Sequence, residues 1–97
     1  MYDVSLYNTE KTRRIREQLY EEQEGMCYYC LADCYPPEKA SYINEERDLY
    51  FVIDHKIPMS RGGANMLSNV VGACWACNAR KGAMTDVEFQ RVVFEKV

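Results

Sequence analysis

The chain has 97 residues, 28% of them charged, and its formal net charge is −3 at pH 7. A chain of this length forms one small domain and buries only about 60–65% of the surface that it exposes when unfolded. No apolar segment approaches the roughly 20 residues of a membrane-spanning helix. The polar start at Met1–Ser5 lacks the basic and apolar regions of a secretory signal. We therefore expect a single domain over residues 1–97 that is cytoplasmic and has no membrane partner.

The charged residues are unevenly distributed along the chain. Residues 54–82 contain four basic side chains and one acidic side chain, whereas residues 33–48 contain five acidic and two basic ones. A locally basic surface can bind phosphate groups even on an acidic protein. Ordinary surface charge would give the same asymmetry, so this feature alone does not establish a nucleic-acid partner.

The first predicted element is a helix over about residues 9–24. Thr9 is a suitable N-cap, and Ile15 and Leu19 form a narrow apolar stripe. Gly25 follows the last turn, which predicts the end of the helix at this point.

Two short strands and a helix are predicted next. Residues 31–48 are rich in proline and charge and predict a loop, and the aromatic and β-branched residues 49–53 predict a strand. A loop rich in glycine and proline over residues 56–67 separates it from a second strand over 69–73. A helix over residues 75–82 follows directly and ends at a glycine.

A C-terminal helix is predicted over about residues 86–96. Thr85 is its expected N-cap, and Glu88 three residues later completes a capping box. We expect its apolar residues to face the core: Val87, Phe89, Val92, Val93 and Phe94.

Four of the five cysteines form two Cys-x-x-Cys pairs, at 27–30 and 74–77, with 43 residues between the pairs. Two such pairs supply the four thiolates of a tetrahedral zinc site, and paired motifs in intracellular proteins bind metal more often than they form disulfides. A thioredoxin-like redox role is the alternative, but the βαβ context is missing. Cys34 could substitute for a neighbouring ligand, but we expect it to be a small loop residue or an incidental thiol. The predicted ligands of a structural Zn²⁺ ion are Cys27, Cys30, Cys74 and Cys77.

His55 is the only histidine in the chain, and it follows Asp54 directly. We expect the first strand to end at Asp54 and an irregular loop to begin at His55, because neighbours within a regular strand point to opposite faces. Asn78 comes immediately after Cys77, and Lys81 lies on the same side of the predicted helix as Asn78.

In combination, these motifs resemble the HNH endonuclease family, in its zinc-ribbon branch with a His-Asn-Asn active site. The resemblance covers residues 27–82 and implies a small α+β fold. Its ββα-metal (His-Me finger) core would occupy about residues 49–82, with a four-cysteine zinc site and helices on both sides. The motifs are the two Cys-x-x-Cys pairs, Asp54-His55-Lys-Ile-Pro58, Ser60-Arg-Gly-Gly63, Ser68-Asn69, and Asn78 with Lys81.

The resemblance implies a role for each matching residue. His55 would be the general base, and Asp54 and Asn78 would be ligands of a catalytic Mg²⁺ or Mn²⁺ ion, which prefers hard oxygen donors. Asn69 would brace the loop between the strands. The candidate phosphate contacts are Lys81, Arg80 and Arg61, with solvated surface as the alternative for each.

The activity implied by the resemblance is metal-dependent hydrolysis of DNA phosphodiester bonds, by nicking or double-strand cleavage, in a bacterial or phage-infected cell. A general base must be neutral, and an ordinary histidine titrates near 6.5, so activity should rise with pH between roughly 6 and 7.5. The alternative is a catalytically inactive, zinc-stabilised module that binds DNA or protein. We expect DNA binding with weak sequence specificity, and both a homodimer and a larger delivery protein stay open.

Overall fold

The computed structural model describes residues 10–36 and 44–94. Its helices and strands are α1 (Glu10–Glu22), β1 (Phe51–His55), β2 (Val70–Cys74), α2 (Trp75–Lys81) and α3 (Asp86–Phe94). Short 3-10 helices occur at Asn44–Leu49, Met59–Arg61 and Leu67–Asn69. Among the described residues, no helix has both the length and the apolar character that crossing a membrane requires.

The two strands form an antiparallel pair, in which Phe51 is opposite Cys74 and His55 is opposite Val70. β2 runs directly into α2, because Cys74 is both the last residue of β2 and the N-cap of α2. Its Sγ accepts a hydrogen bond from the backbone N–H of Cys77 at 3.4 Å. The fold is therefore a small α+β fold with the expected ββα-metal arrangement, and α1 and α3 flank it.

β1 lies two residues further along the chain than the predicted strand, at Phe51–His55 rather than 49–53. The expectation that the strand ends at Asp54 was wrong. The apolar run ends at Ile53, but backbone pairing with β2 continues through His55, and the backbone N–H of Lys56 donates to the carbonyl of Asn69 at 2.8 Å. A partner strand decides where pairing stops, and the propensity of the run itself does not.

The helix α1 packs on the face of the sheet that carries Phe51. The ring of Tyr20 meets the ring of Phe51 edge-on, with 5.0 Å between centroids. The helix ends at Glu22, two residues earlier than predicted, and the proposed cap Thr9 lies outside the described residues. Gly25 has a φ of +76°, so the chain reverses there without the steric cost that other residues carry.

Gln23, just beyond α1, extends the hydrogen bonding of the sheet. Its side-chain amide donates to the carbonyl of Gly72 at 2.9 Å, and its Oε1 accepts from the N–H of Gly72 at 2.7 Å. A side chain at Gly72 is excluded, because a Cβ there would lie 1.8 Å from Cζ of Phe51. The glycine therefore permits close packing of the aromatic ring on β2.

The capping box of α3 is present as predicted. Thr85 N–H donates to Oε1 of Glu88 at 3.0 Å, and Glu88 N–H donates to Oγ1 of Thr85 at 3.2 Å. Phe89 is buried and Val93 is partly buried against the core. Two other residues were wrongly expected to face the core: Val87 and Val92 have 56% and 38% of their surfaces exposed. A nine-residue helix buries only one narrow stripe of side chains.

Two predicted segments extend beyond the described residues. Residues 95–96 of the C-terminal helix and the side chain of Phe94 are among those not described. Residues 37–43 of the predicted loop are also outside the description, and the last part of that loop forms the 3-10 helix at Asn44–Leu49.

Candidate metal centre and active site

The four cysteines of the two Cys-x-x-Cys pairs meet in space. Their sulfur atoms all lie within 4.8 Å of one another, and Sγ of Cys30 is 3.9 Å from Sγ of Cys74. A tetrahedral zinc ion with Zn–S bonds of about 2.3 Å places its sulfur ligands about 3.8 Å apart. The four thiols therefore fit a single metal ion, as the spacing predicted.

Hydrogen bonds connect the clustered thiols. Hydrogen bonds from Cys74 and Cys77 lower the pKa of the Cys27 thiol well below its usual range. The hydrogen bond to Cys27 raises the pKa of Cys74 to about 12. A thiolate surrounded by thiols is a site where a cation replaces protons on binding, so metal affinity there depends on pH.

Cys34 lies outside this cluster. Its side chain is buried in the core, and its Sγ contacts the carbonyl oxygen of Ala32 at 3.7 Å. Burial raises the pKa of the Cys34 thiol to about 12. The thiol therefore stays protonated and packs as a small apolar group.

Asp54 is buried beside the cysteine cluster, with 3% of its surface exposed. The hydroxyl of Tyr29 donates to its Oδ2 at 2.5 Å, and the amide of Asn78 donates to its Oδ1 at 2.9 Å. Nζ of Lys81 lies 3.4 Å from Oδ2. Burial, together with the charge of Asp54, raises the pKa of Tyr29, so this hydroxyl is a neutral donor. A buried carboxylate requires such partners, because an unpaired one is strongly destabilising.

Lys81 lies inside the protein, whereas we expected a phosphate contact on the surface. Its side chain is 1% exposed, and Nζ donates to the backbone carbonyl of His55 at 2.8 Å. A direct contact with phosphate would require the ammonium to leave both this carbonyl and Asp54.

Asp54 and His55 point to opposite faces of the strand pair, as neighbours in a strand must. Asp54 faces α2, whereas the half-buried ring of His55 faces the loop, where its Nε2 is 3.0 Å from Oδ1 of Asn65. A neutral imidazole that donates from Nε2 to this oxygen has its lone pair on Nδ1. Sequence reasoning missed Asn65, since an asparagine after two glycines indicates only a turn.

Asn69 closes the loop between the strands with both ends of its side chain. Its Oδ1 accepts from the N–H of Ile57 at 3.0 Å, and its Nδ2 donates to the carbonyls of Ile57 and Ala64 at 2.9 and 2.8 Å. Gly63 leaves room for this contact, because a Cβ there would lie 1.7 Å from the carbonyl oxygen of Ile57. The loop that begins after His55 is therefore held at several points.

The two candidate arginines differ in their surroundings. Arg61 forms an ion pair with Glu88 at 2.7 Å and donates to the carbonyl of Ala83 at 3.2 Å, which joins the loop to the start of α3. Arg80 is exposed on α2, with its guanidinium 5.8 Å from the centroid of the Phe89 ring. Arg80 is the more available of the two for a ligand.

The pair of Asp54 and Asn78 fits a divalent cation in its chemistry. The two side chains are adjacent and buried, and rotation of the Asn78 amide exchanges its nitrogen for its oxygen at the same place. A carboxylate oxygen and a carboxamide oxygen are both ligands that Mg²⁺ accepts, and Mg²⁺ usually keeps several waters beside few protein ligands.

Comparison with known proteins agrees with this geometry. The sequence model of a family described as HNH endonuclease matches residues 43–94, more than half of the chain. The match includes both strands, the loop between them, α2 and α3. No curated protein matches the chain. The four-cysteine cluster, half of which lies before the matched segment, is consistent with the zinc branch. The chain therefore belongs to the HNH endonuclease family.

Proposed function

We propose that this protein is a metal-dependent endonuclease that hydrolyses DNA phosphodiester bonds and leaves 5′-phosphate and 3′-hydroxyl ends. The observation that carries the proposal is the hydrogen bond between Asn78 and the buried Asp54, with His55 as the next residue of β1, in a chain of the HNH endonuclease family. DNA is the substrate that family membership suggests.

His55 is the proposed general base. With Nε2 engaged by Asn65 at 3.0 Å, Nδ1 is the nitrogen that takes a proton from water. The oxygen of that water then attacks phosphorus in line with the leaving 3′ oxygen. Proton transfer to a positioned base contributes typically about 10²–10⁴-fold to the rate. Asn69 contributes by holding the loop that follows His55.

The residues that would hold a catalytic divalent ion are Asp54 and Asn78. Their oxygens suit Mg²⁺ or Mn²⁺, and the chemistry supplied there is stabilisation of charge on the phosphate and the leaving oxygen. Lys81 neutralises part of the Asp54 charge. Because Asp54 and His55 face opposite sides of β1, the scissile phosphate would lie at the end of the strand, within reach of both.

Zn²⁺ is the proposed occupant of the four-cysteine cluster, with a structural role. It would join residues 27–30 to the start of α2 across the intervening chain. Binding of structural zinc contributes on the order of 10–16 kcal/mol of apparent free energy. In a domain with a small apolar core, this contribution would decide whether α2, and with it Asn78, is held in place.

A plasmid assay tests the proposal. Supercoiled DNA is incubated with the zinc-loaded protein in Mg²⁺, in Mn²⁺ and in EDTA, beside His55→Ala and a control, Val92→Ala, on an exposed part of α3. We expect nicked circles to accumulate before linear DNA, since one active site cuts one strand per binding event. His55→Ala should lower the rate at least about 100-fold.

Two results would contradict the proposal. Equal cleavage by wild type and His55→Ala would remove His55 from the role of base. Intact plasmid with every metal, together with retained DNA binding in a gel-shift assay, would favour the inactive DNA-binding module instead.

A further inference from the structure

Tyr29 connects the cysteine cluster to the buried carboxylate of the active site. It lies between Cys27 and Cys30, and its N–H donates to Sγ of Cys27 at 3.4 Å. Its hydroxyl donates to Oδ2 of Asp54 at 2.5 Å. The ring is 2% exposed and meets the ring of Phe89 edge-on at 5.1 Å. The hydroxyl is therefore held in place by its own ring packing and by the neighbouring cysteines.

The second cysteine pair also positions a hydrogen-bond donor to the same carboxylate. Asn78 follows Cys77 and donates to Oδ1 of Asp54 at 2.9 Å, while Tyr29 precedes Cys30 and binds Oδ2. Each Cys-x-x-Cys pair thus positions one hydrogen-bond partner of Asp54, on a different oxygen. The relative position of the two partners depends on the four sulfur atoms that lie within 4.8 Å of one another.

The two oxygens of Asp54 consequently have different surroundings. Oδ2 is engaged by the hydroxyl of Tyr29 and the ammonium of Lys81, and short hydrogen bonds to a carboxylate are among the stronger ones in proteins. Oδ1 faces only the Asn78 side chain among the described contacts of this carboxylate. A carboxylate held in this way presents one oxygen, in one orientation, to an ion shared with Asn78.

We propose that Tyr29 is a positioning residue for the metal ligand Asp54, and that occupancy of the cysteine site thereby sets the affinity of the catalytic site for its divalent ion. This inference rests on the metal-binding part of the proposed function. Without an ion at the sulfur atoms, residues 27–30 and 74–77 are no longer held together, and Asp54 loses the fixed geometry of two partners. Residues that orient a metal ligand typically contribute about 10- to 100-fold to metal affinity.

The test is Mn²⁺ binding to zinc-loaded protein, measured without DNA by electron paramagnetic resonance of the free ion. Tyr29→Phe removes only the hydroxyl and keeps the ring that packs on Phe89. Tyr28→Phe is the matched control, because Tyr28 lies in the same cysteine pair and is 37% exposed. We expect Tyr29→Phe to weaken Mn²⁺ binding about tenfold and Tyr28→Phe to leave it unchanged, with unchanged zinc content in both.

A second measurement compares wild type with Tyr29→Phe. Since coupling between two binding sites is reciprocal, saturating Mg²⁺ should raise the zinc affinity of wild-type protein more than that of Tyr29→Phe, measured by competition with a chelator that does not bind Mg²⁺. Unchanged Mn²⁺ affinity in Tyr29→Phe, or an equal effect of Mg²⁺ on the zinc affinity of both proteins, would overturn the inference even if wild type cleaves DNA. Weakened Mn²⁺ binding in Tyr29→Phe would support it even if the plasmid assay failed, so the two proposals fail separately.

Discussion

The ammonium of Lys81 donates a hydrogen bond of 2.8 Å to the backbone carbonyl of His55, so the last residue of α2 is joined directly to the last residue of β1. The same ammonium lies 3.4 Å from Asp54, with both side chains almost fully buried. The contact fixes the position of the C-terminal end of α2 relative to the end of β1. It also makes Lys81 part of the internal charge balance of the site.

Replacement of Lys81 by methionine should therefore destabilise the protein. Lys81→Met leaves the buried Asp54 carboxylate without its cation, and loss of one partner of a buried ion pair typically costs about 3–5 kcal/mol. Urea unfolding of the zinc-loaded protein measures the change. The control is Arg80→Met on the exposed side of α2, which should change stability by no more than about 0.5 kcal/mol. Wild-type stability with weakened DNA binding would instead indicate the phosphate contact that the sequence suggested.

Asn65 should matter for cleavage although it is not one of the motif residues. Asn65→Ala removes the oxygen that holds Nε2 of His55 at 3.0 Å, and a misplaced catalytic group lowers rates by up to about 100-fold. Plasmid nicking at saturating metal measures the effect. Asn65→Asp keeps an acceptor and should retain more activity, whereas the neighbouring Met66→Ala serves as the control. Equal rates for Asn65→Ala and wild type would contradict the positioning role.

Zinc removal should unfold the domain. A strong chelator takes away the ion that joins the two cysteine pairs, and structural zinc sites supply on the order of 10–16 kcal/mol. Thermal unfolding followed by circular dichroism should lose its cooperative transition in chelator and regain it when zinc is restored. A complete transition in metal-free protein would show that the apolar core suffices without the ion.

Cys34 should resist alkylation in the folded protein. Burial raises its pKa to about 12, so the folded state holds the thiol proton more tightly than the unfolded state, in which the cysteine pKa is about 8.5. The contribution of this pKa difference to the free energy of unfolding is therefore complete below about pH 8.5 and declines as the pH rises toward 12.

Iodoacetamide labelling followed by mass spectrometry checks this prediction. At about pH 8, zinc-loaded protein should remain unlabelled at Cys34, and chelated, unfolded protein should be labelled at all five cysteines. The variant Cys34→Ala should keep one zinc per chain and lose a single label after unfolding. Rapid labelling of Cys34 in zinc-loaded protein would contradict its burial.

Local patterns were sufficient for several features of the fold. A cysteine cluster that fits a metal ion follows from the spacing within each pair, and the cap of α3 follows from Thr85 and Glu88, since both depend on atoms a few residues apart. The end of β1 could not be predicted in this way, because His55 pairs with Val70. That contact depends on a loop closed by the Asn69 side chain, and no property of the apolar run reveals it.

The residues that support the site could not be predicted from the sequence either. Tyr29 occupies a spacer position in a Cys-x-x-Cys pair, where nearly any residue is compatible with metal binding. Its contact with Asp54 spans 25 positions. A helix pattern gives the direction of the Lys81 side chain but does not reveal the two oxygens that its ammonium contacts. The sequence alone therefore indicates a surface cation at this position.

The presence of a single histidine has a practical consequence for spectroscopy. His55 supplies the only imidazole signals in a nitrogen-15 spectrum of the whole protein, so they need no assignment to a residue. Couplings to the ring protons identify Nδ1 and Nε2, because only Nε2 couples strongly to both Hδ2 and Hε1. The chemical shift of each nitrogen then distinguishes a proton on Nε2, shared with Asn65, from one on Nδ1. Addition of uncleavable DNA would therefore report on the tautomer of the proposed base through one pair of peaks, in the unmodified chain.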